Sequence, residues 1–242
     1  MYASQLIGEV AADLFDTGYD RWDEDYHLSS LNSAERQLVF LKPTSYVITA
    51  VYRLVAGPAQ SLPDGSGSYL SPTGVTHPAA IELVGITRNM GTDGLVAGAS
   101  IHPVDPKDMD ELCPGWRAVT AVATVQNYMF NKDDRTVFDV YPKQPSASMG
   151  WIEVVYSAVP PEIASVGGSY DVDINLPDEY TEPLKQYMKY RAYDMDAGVS
   201  EYSADRALAH LNHFLTQIGR KDLVEQRYPR RKHGNTDQQL QK

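Results

Sequence analysis

The sequence holds a single cysteine, Cys113. That excludes a disulfide framework and every multi-cysteine zinc or iron–sulfur site. No apolar run approaches the roughly 18 residues that span a bilayer. The opening residues, Met1-Tyr2-Ala3-Ser4-Gln5-Leu6, lack the basic start and apolar stretch of a signal peptide. A phosphate loop and a dinucleotide fingerprint are missing, and Gly65-Ser66-Gly67 has the wrong spacing for a serine elbow. No repeat of 20–50 residues is visible, and no low-complexity tract beyond the polar end. These absences predict a cytoplasmic product with no cofactor.

What is present is enough for one large domain or two small ones. A chain of 242 residues buries roughly 70–75% of its unfolded surface, so a core forms without staples. Hydrophobics at 43% and charged residues at 22% are ordinary for a folded protein. The net charge of −11 is unevenly spread. From Arg220 onward, seven basic residues (Arg220, Lys221, Arg227, Arg230, Arg231, Lys232, Lys242) stand against three acids (Asp222, Glu225, Asp237). An acidic body repels nucleic-acid phosphates, whereas the basic end seeks a polar or acidic partner.

Periodicity changes twice along the chain. Leu6, Ile7, Val10, Ala11 and Leu14 predict a first helix ended by Asp16-Thr17-Gly18, and Tyr26, Leu31, Ala34, Leu38 and Leu41 predict a second over about 23–41, stopped by Lys42-Pro43. Alternation then predicts strands over 45–54, 81–87, 122–130, 136–141 and 151–156, with 131–135 as a polar hairpin tip. Residues 105–113 predict a short helix. Helical spacing returns after Pro177, which suits a first helical position. A last helix, capped by Ser200 or Ser203, carries the stripe Ala207, Leu208, Leu211, Phe214, Leu215 and Ile218 up to Gly219. The expected class is α+β: a helical bundle of two N-terminal and two C-terminal helices, interrupted by a β-rich module. The boundaries are 1–44 and 176–222 for the helices, 45–175 for the β-rich module, and 223–242 for an extended tail.

Chemistry is thinly supported. Asp105, Asp108, Asp110 and Glu111 form the densest acidic group but lack the alternation, glycine and distal glutamate of a calcium loop, so they read as a solvated helix start. Asp133-Asp134 reads as a hairpin tip. His210 and His213 lie three apart, yet no third metal ligand is marked, and both read as packing or surface residues. Cys113, beside Pro114 and Trp116, reads as a small hydrophobe. The sixteen tyrosines weigh more. Tyr46, Tyr52, Tyr128, Tyr141, Tyr156, Tyr187, Tyr190 and Tyr193 fall in predicted elements, where half-buried packing and subunit contact are both compatible with them.

In order and spacing, Trp22, Leu31-Asn32-Ser33-Ala34-Glu35-Arg36, Lys42-Pro43, Arg88-Asn89-Met90-Gly91, Pro114-Gly115-Trp116, Tyr141-Pro142, Val155-Tyr156-Ser157-Ala158-Val159-Pro160, Leu176-Pro177-Asp178-Glu179-Tyr180 and Tyr190-Arg191-Ala192-Tyr193 form a set. On these segments the chain resembles the head-to-tail adaptor (connector) proteins of short-tailed bacteriophages. The likeness runs from about Leu6 to Phe214.

The resemblance implies a structural virion protein at the head–tail junction, made in the host cytoplasm. It implies a ring of 12 copies beneath the portal protein, a tail nozzle or tube protein on the other side, and a channel for DNA retention and ejection without specific DNA binding or membrane contact. Arg227, Tyr228, Arg230, Arg231 and Lys232 are the expected portal or tail contacts, since arginine pairs with carboxylates in bidentate fashion and Tyr228 supplies an aromatic anchor. DNA in the channel is the rival partner for that cluster. A virion-associated peptidoglycan hydrolase is the alternative from another class; it needs two carboxylates roughly 5–9.5 Å apart across a cleft. No catalytic, cofactor-binding or metal residue is assigned.

Overall fold

Apolar residues three and four apart make the first segment a helix, α1 (Ala3–Asp13), with Leu6, Ile7, Val10 and Ala11 buried. The computed structural model describes residues 1–131, 133–165, 169–196 and 201–227. They fall into two compact units, divided near the middle of the second helix, α2 (Glu24–Leu41). The first unit comprises residues 1–34, 165–173 and 178 onward; the second comprises 35–164 and 174–177. The layout is thus mixed α+β, as the sequence predicts.

The first unit is helical. It holds α1, the start of α2, α4 (Thr181–Met195), α5 (Glu201–Gln217) and α6 (Lys221–Arg227). Asp23 accepts the Tyr26 amide at 2.7 Å, and Glu24 and Asp25 occupy the first turn of α2, where carboxylates suit the helix dipole. α4 packs against α5, α1 against α4, and α6 against α5. Lys185 and Lys189 of α4 reach Glu9 at 2.7 Å and Asp13 at 2.6 Å on α1, one helical turn apart. Phe214 is wholly buried, with its ring 5.1 Å from that of Tyr187 on α4.

Two expectations for the C-terminal half need correction, on Pro177 and on residues 223–227, and a third, the cap of the last helix, falls partly outside the described residues. Pro177 does not open a helix, because a 3-10 turn over Asp178–Tyr180 intervenes and Pro183 occupies the first turn of α4. Ser203 lies inside α5, and Ser200 is outside the described residues. Residues 223–227 are not extended, since α6 continues through them. Leu223 and Val224 are half-buried and Asp222 sits in its first turn, so a short amphipathic helix forms after the left-handed Gly219.

The second unit is built on β-strands. One antiparallel sheet has the order β1 (Val47–Arg53), β8 (Trp151–Ala158), β3 (Ala80–Met90), β4 (Ala97–Ser100). The other runs β2 (Gly57–Ser61), β7 (Val137–Gln144), β6 (Asn127–Phe130), β5 (His102–Pro103), with β5 and β6 parallel. Alternate residues of both sheets meet in one core: Tyr52, Ile86, Val154 and Tyr156 from the first, Tyr128, Phe138 and Val140 from the second. A satellite core of Met109, Trp116 and Met129 lies under α3 (Pro106–Leu112), which Asp105 caps through the Lys107 amide. Residues 122–126, expected as strand, lie outside the regular ladder: the Val122 and Gln126 amides still reach the β7 carbonyls of Lys143 and Tyr141, but the Val125 amide is taken by the Asn89 side chain. β2, β4 and β5, rich in Gly, Ala and Pro, carry no alternation and so give no strand signal in the sequence.

Candidate protein-interaction surface

The tyrosines divide by element. Tyr52, Tyr128 and Tyr156 are core residues, and burial pushes their hydroxyls above the usual phenol range. Tyr46 and Tyr141 are half-buried. Tyr187, Tyr190 and Tyr193 are half-buried on α4, one turn apart, with the rings of Tyr187 and Tyr190 edge to face at 5.4 Å. Packing therefore accounts for the strand tyrosines. The helix tyrosines remain open to contact.

On α5, residues 202, 206 and 210 recur at intervals of four and so form one stripe. Arg206 donates to the Tyr202 hydroxyl at 2.6 Å and to the Tyr193 hydroxyl at 3.2 Å, and its guanidinium lies over both rings, 4.4 and 5.4 Å from their centroids. The Tyr193 ring stacks on His210 at 5.5 Å, nearly parallel. His210 Nδ1 lies 2.8 Å from Gln186 Oε1, and Gln186 donates through Nε2 to Glu182 Oε1 at 2.7 Å. That chain assigns the proton to His210 Nδ1, because the glutamine oxygen can only accept.

Electrostatics keep this stripe cationic at one point only. Burial holds His210 below the ordinary histidine range; Lys189, His213 and Arg206 add to the effect, and Asp13 opposes it. The Tyr202 and Tyr193 hydroxyls hold Arg206 charged. Arg206 has no carboxylate partner among the described residues, and Tyr202 beside it is 64% exposed. An immobilised arginine flanked by exposed tyrosine, on an acidic chain, has the composition of a protein-binding hot spot for an acidic surface.

The expected contact residues lie further on. Arg227 is the last residue of α6, and Tyr228, Arg230, Arg231 and Lys232 lie outside the described residues. The stripe of Tyr202, Arg206 and His210 was not singled out in the sequence, although its four-residue spacing is legible there. His213 is exposed on α5 and does not join His210 in a site. No cluster suited to a metal ion occurs among the described residues.

The acidic group at 105–111 is structural. Asp105 caps α3, while Asp110 accepts the Trp116 indole N–H at 2.8 Å and faces Arg117. Cys113 is half-buried against the satellite core, in keeping with its apolar role.

A family model described as SU10 adaptor protein covers residues 1–236. No curated protein matches the chain.

Proposed function

The chain belongs to the SU10 adaptor family, and from that premise we propose that it forms a ring between the portal and the tail nozzle or tube of a phage virion, leaving a channel for DNA retention and ejection. The observation that carries this is the family match over 1–236, which takes in both units. The ring is proposed to hold 12 copies. An overall charge of −11 supports a channel through which DNA slides without the phosphate contacts that would retain it.

The helical bundle expected from the sequence is proposed to be the part that carries the portal contact. Arg227, Tyr228, Arg230, Arg231 and Lys232 meet portal carboxylates, and the Arg206 stripe extends the same cationic character. Like charges around the ring oppose self-association, so the free protein is a small species that closes into a ring on its portal.

Mixing the purified protein with purified portal and imaging the product tests this. A closed ring on the portal, and a small species by ultracentrifugation without it, are expected. A stable ring in portal-free solution contradicts templated assembly. Deleting residues 228–242 should abolish docking on DNA-free portal particles. Docking that survives there, together with loss of packaged DNA, would assign the basic cluster to DNA instead.

A further inference from the structure

At one end of the two sheets lies a cleft of about 430 Å³, and Arg53, the last residue of β1, stands in its wall opposite Trp151. The arginines of this unit are otherwise matched with acids. Arg36 pairs with Glu162, Arg88 with Glu153, Arg117 with Asp110 and Asp139, and Arg135 with Glu82. Arg53 has no carboxylate partner among the described residues, and its Nε–H is buried with no protein acceptor in reach. Taking one N–H of a permanent cation out of water costs free energy unless an acceptor replaces the water. An acidic chain with 32 Asp and Glu has supplied that acceptor to its other sheet-unit arginines and not to this one.

The walls around Arg53 are fixed in advance. Asn89 donates to the carbonyls of Ala99 at 3.1 Å and Val125 at 2.8 Å and accepts the Val125 amide at 2.8 Å, which ties β4 to the 123–125 segment. Gln144 accepts the Gly150 amide at 2.8 Å and donates to the Val122 carbonyl at 3.1 Å. Thr92, Thr124 and Ser148 are among the residues that line the cleft, and Trp151 adds an aromatic side chain to it. A recess braced by these bonds, with one unmatched guanidinium, hydroxyl-bearing residues and an aromatic wall, suits a planar carboxylate on a short hydrocarbon stem. Duplex DNA fits poorly, because its phosphates stand on a wide, stiff backbone that does not enter a recess of this size, whereas a side-chain carboxylate can reach the guanidinium that lines it.

We propose that this cleft is a binding site for a single carboxylate, presented by an aspartate or glutamate side chain of a partner protein. It is separate from the Arg206 stripe, and the inference stands on the cleft's own residues, whether or not the chain forms a ring.

The full chain can be titrated with N-acetyl-glutamate N-methylamide and followed by amide NMR, with the glutamine analogue and inorganic phosphate as matched probes. The glutamate probe should give saturable shifts at Gly91, Gly98 and Gly150 and at Arg53 Nε in the millimolar range, and the glutamine analogue should give none. Arg53→Gln should abolish the response, and Arg53→Lys, which keeps the charge but loses the fork, should weaken it at least tenfold. Equal response to the glutamine probe, tighter binding of phosphate, or a response retained in Arg53→Gln each overturns the proposal. The comparison of probes on the unmodified protein decides the matter even if neither variant folds.

Discussion

Glu35 holds Asn175 twice across 140 residues of sequence, its Oε1 accepting the Asn175 amide at 2.9 Å and its Oε2 accepting Nδ2 at 2.6 Å. Both residues belong to the sheet-containing unit, and the carboxylate joins the end of the 174–177 segment to α2. Burial pushes the Glu35 carboxyl above the usual glutamate range, and the hydrogen bonds from Asn175 and Leu176 only partly offset that.

The sign of the resulting pH dependence follows from linkage. A raised carboxyl means the folded state binds the proton more tightly, so the Glu35 contribution to stability is full below the ordinary glutamate value. It is lost as pH rises through the folded value. Carbon-detected NMR of the Glu35 carboxyl should show a midpoint above the ordinary value; a midpoint at or below about 4.3 contradicts this. Glu35→Ala should lower stability by about 1–3 kcal/mol by urea denaturation below the folded Glu35 midpoint, because the Asn175 and Leu176 amides lose their acceptor, while Asn175 Nδ2 keeps the Pro161 carbonyl.

Asp16 behaves in the opposite sense. It accepts the amides of Trp22 at 2.9 Å, Arg21 at 3.2 Å and Asp20 at 3.0 Å, and these bonds, Trp22's foremost, hold its carboxyl below the usual range despite burial. A depressed carboxyl stabilises the fold above its unfolded value, and that contribution is lost as pH falls through the folded value. The protection factor of the Trp22 amide against hydrogen exchange should therefore fall on acidification, and Asp16→Asn should remove that acid step.

Phe214 is fully buried against Tyr187. Phe214→Ala should cost about 3–5 kcal/mol by the lost transfer energy and the cavity left behind. An unchanged melting temperature would mean that this face is covered by something other than the chain's own core.

A methyl at Gly150 would collide with the Ala123 carbonyl oxygen. The obstacle is backbone, so no rotamer relieves it, and Gly150→Ala should displace the 122–125 segment and the Val125–Asn89 bonds with it. The expected outcome is a melting temperature several degrees lower and loss of protection at the Val125 amide, with α5 amides unchanged; wild-type stability contradicts the tight approach.

Much of the fold is legible in the sequence where one strong period governs a segment. Leu6, Ile7 and Val10 mark α1, the Ala207–Ile218 stripe marks α5, and the alternation over 136–141 marks most of β7. Signals fail where stability comes from side chains bonding distant backbone. Nothing local in Asn89 or Gln144 tells that each fixes a segment tens of residues away, and nothing in Ala97-Gly98-Ala99-Ser100 tells that β3 will pair with it. The Arg206 stripe is legible as spacing but not as chemistry, because its two hydroxyl partners come from different helices. Arg53 is legible only by elimination, once the partners of Arg36, Arg88, Arg117 and Arg135 are known.

The discontinuity of the helical unit also sets an order on synthesis. α1 buries Leu6, Ile7 and Val10, and its contacts are with α4, which begins at Thr181. Ribosomes add about 5–20 residues per second, so the apolar face of α1 waits roughly ten to thirty seconds, outside the exit tunnel for most of that time, before its partner helix exists. During that interval the sheet-containing residues emerge and can complete their own core. The nascent chain therefore carries an unsatisfied amphipathic helix ahead of the sheet-containing residues, a natural target for a chaperone that captures short apolar segments.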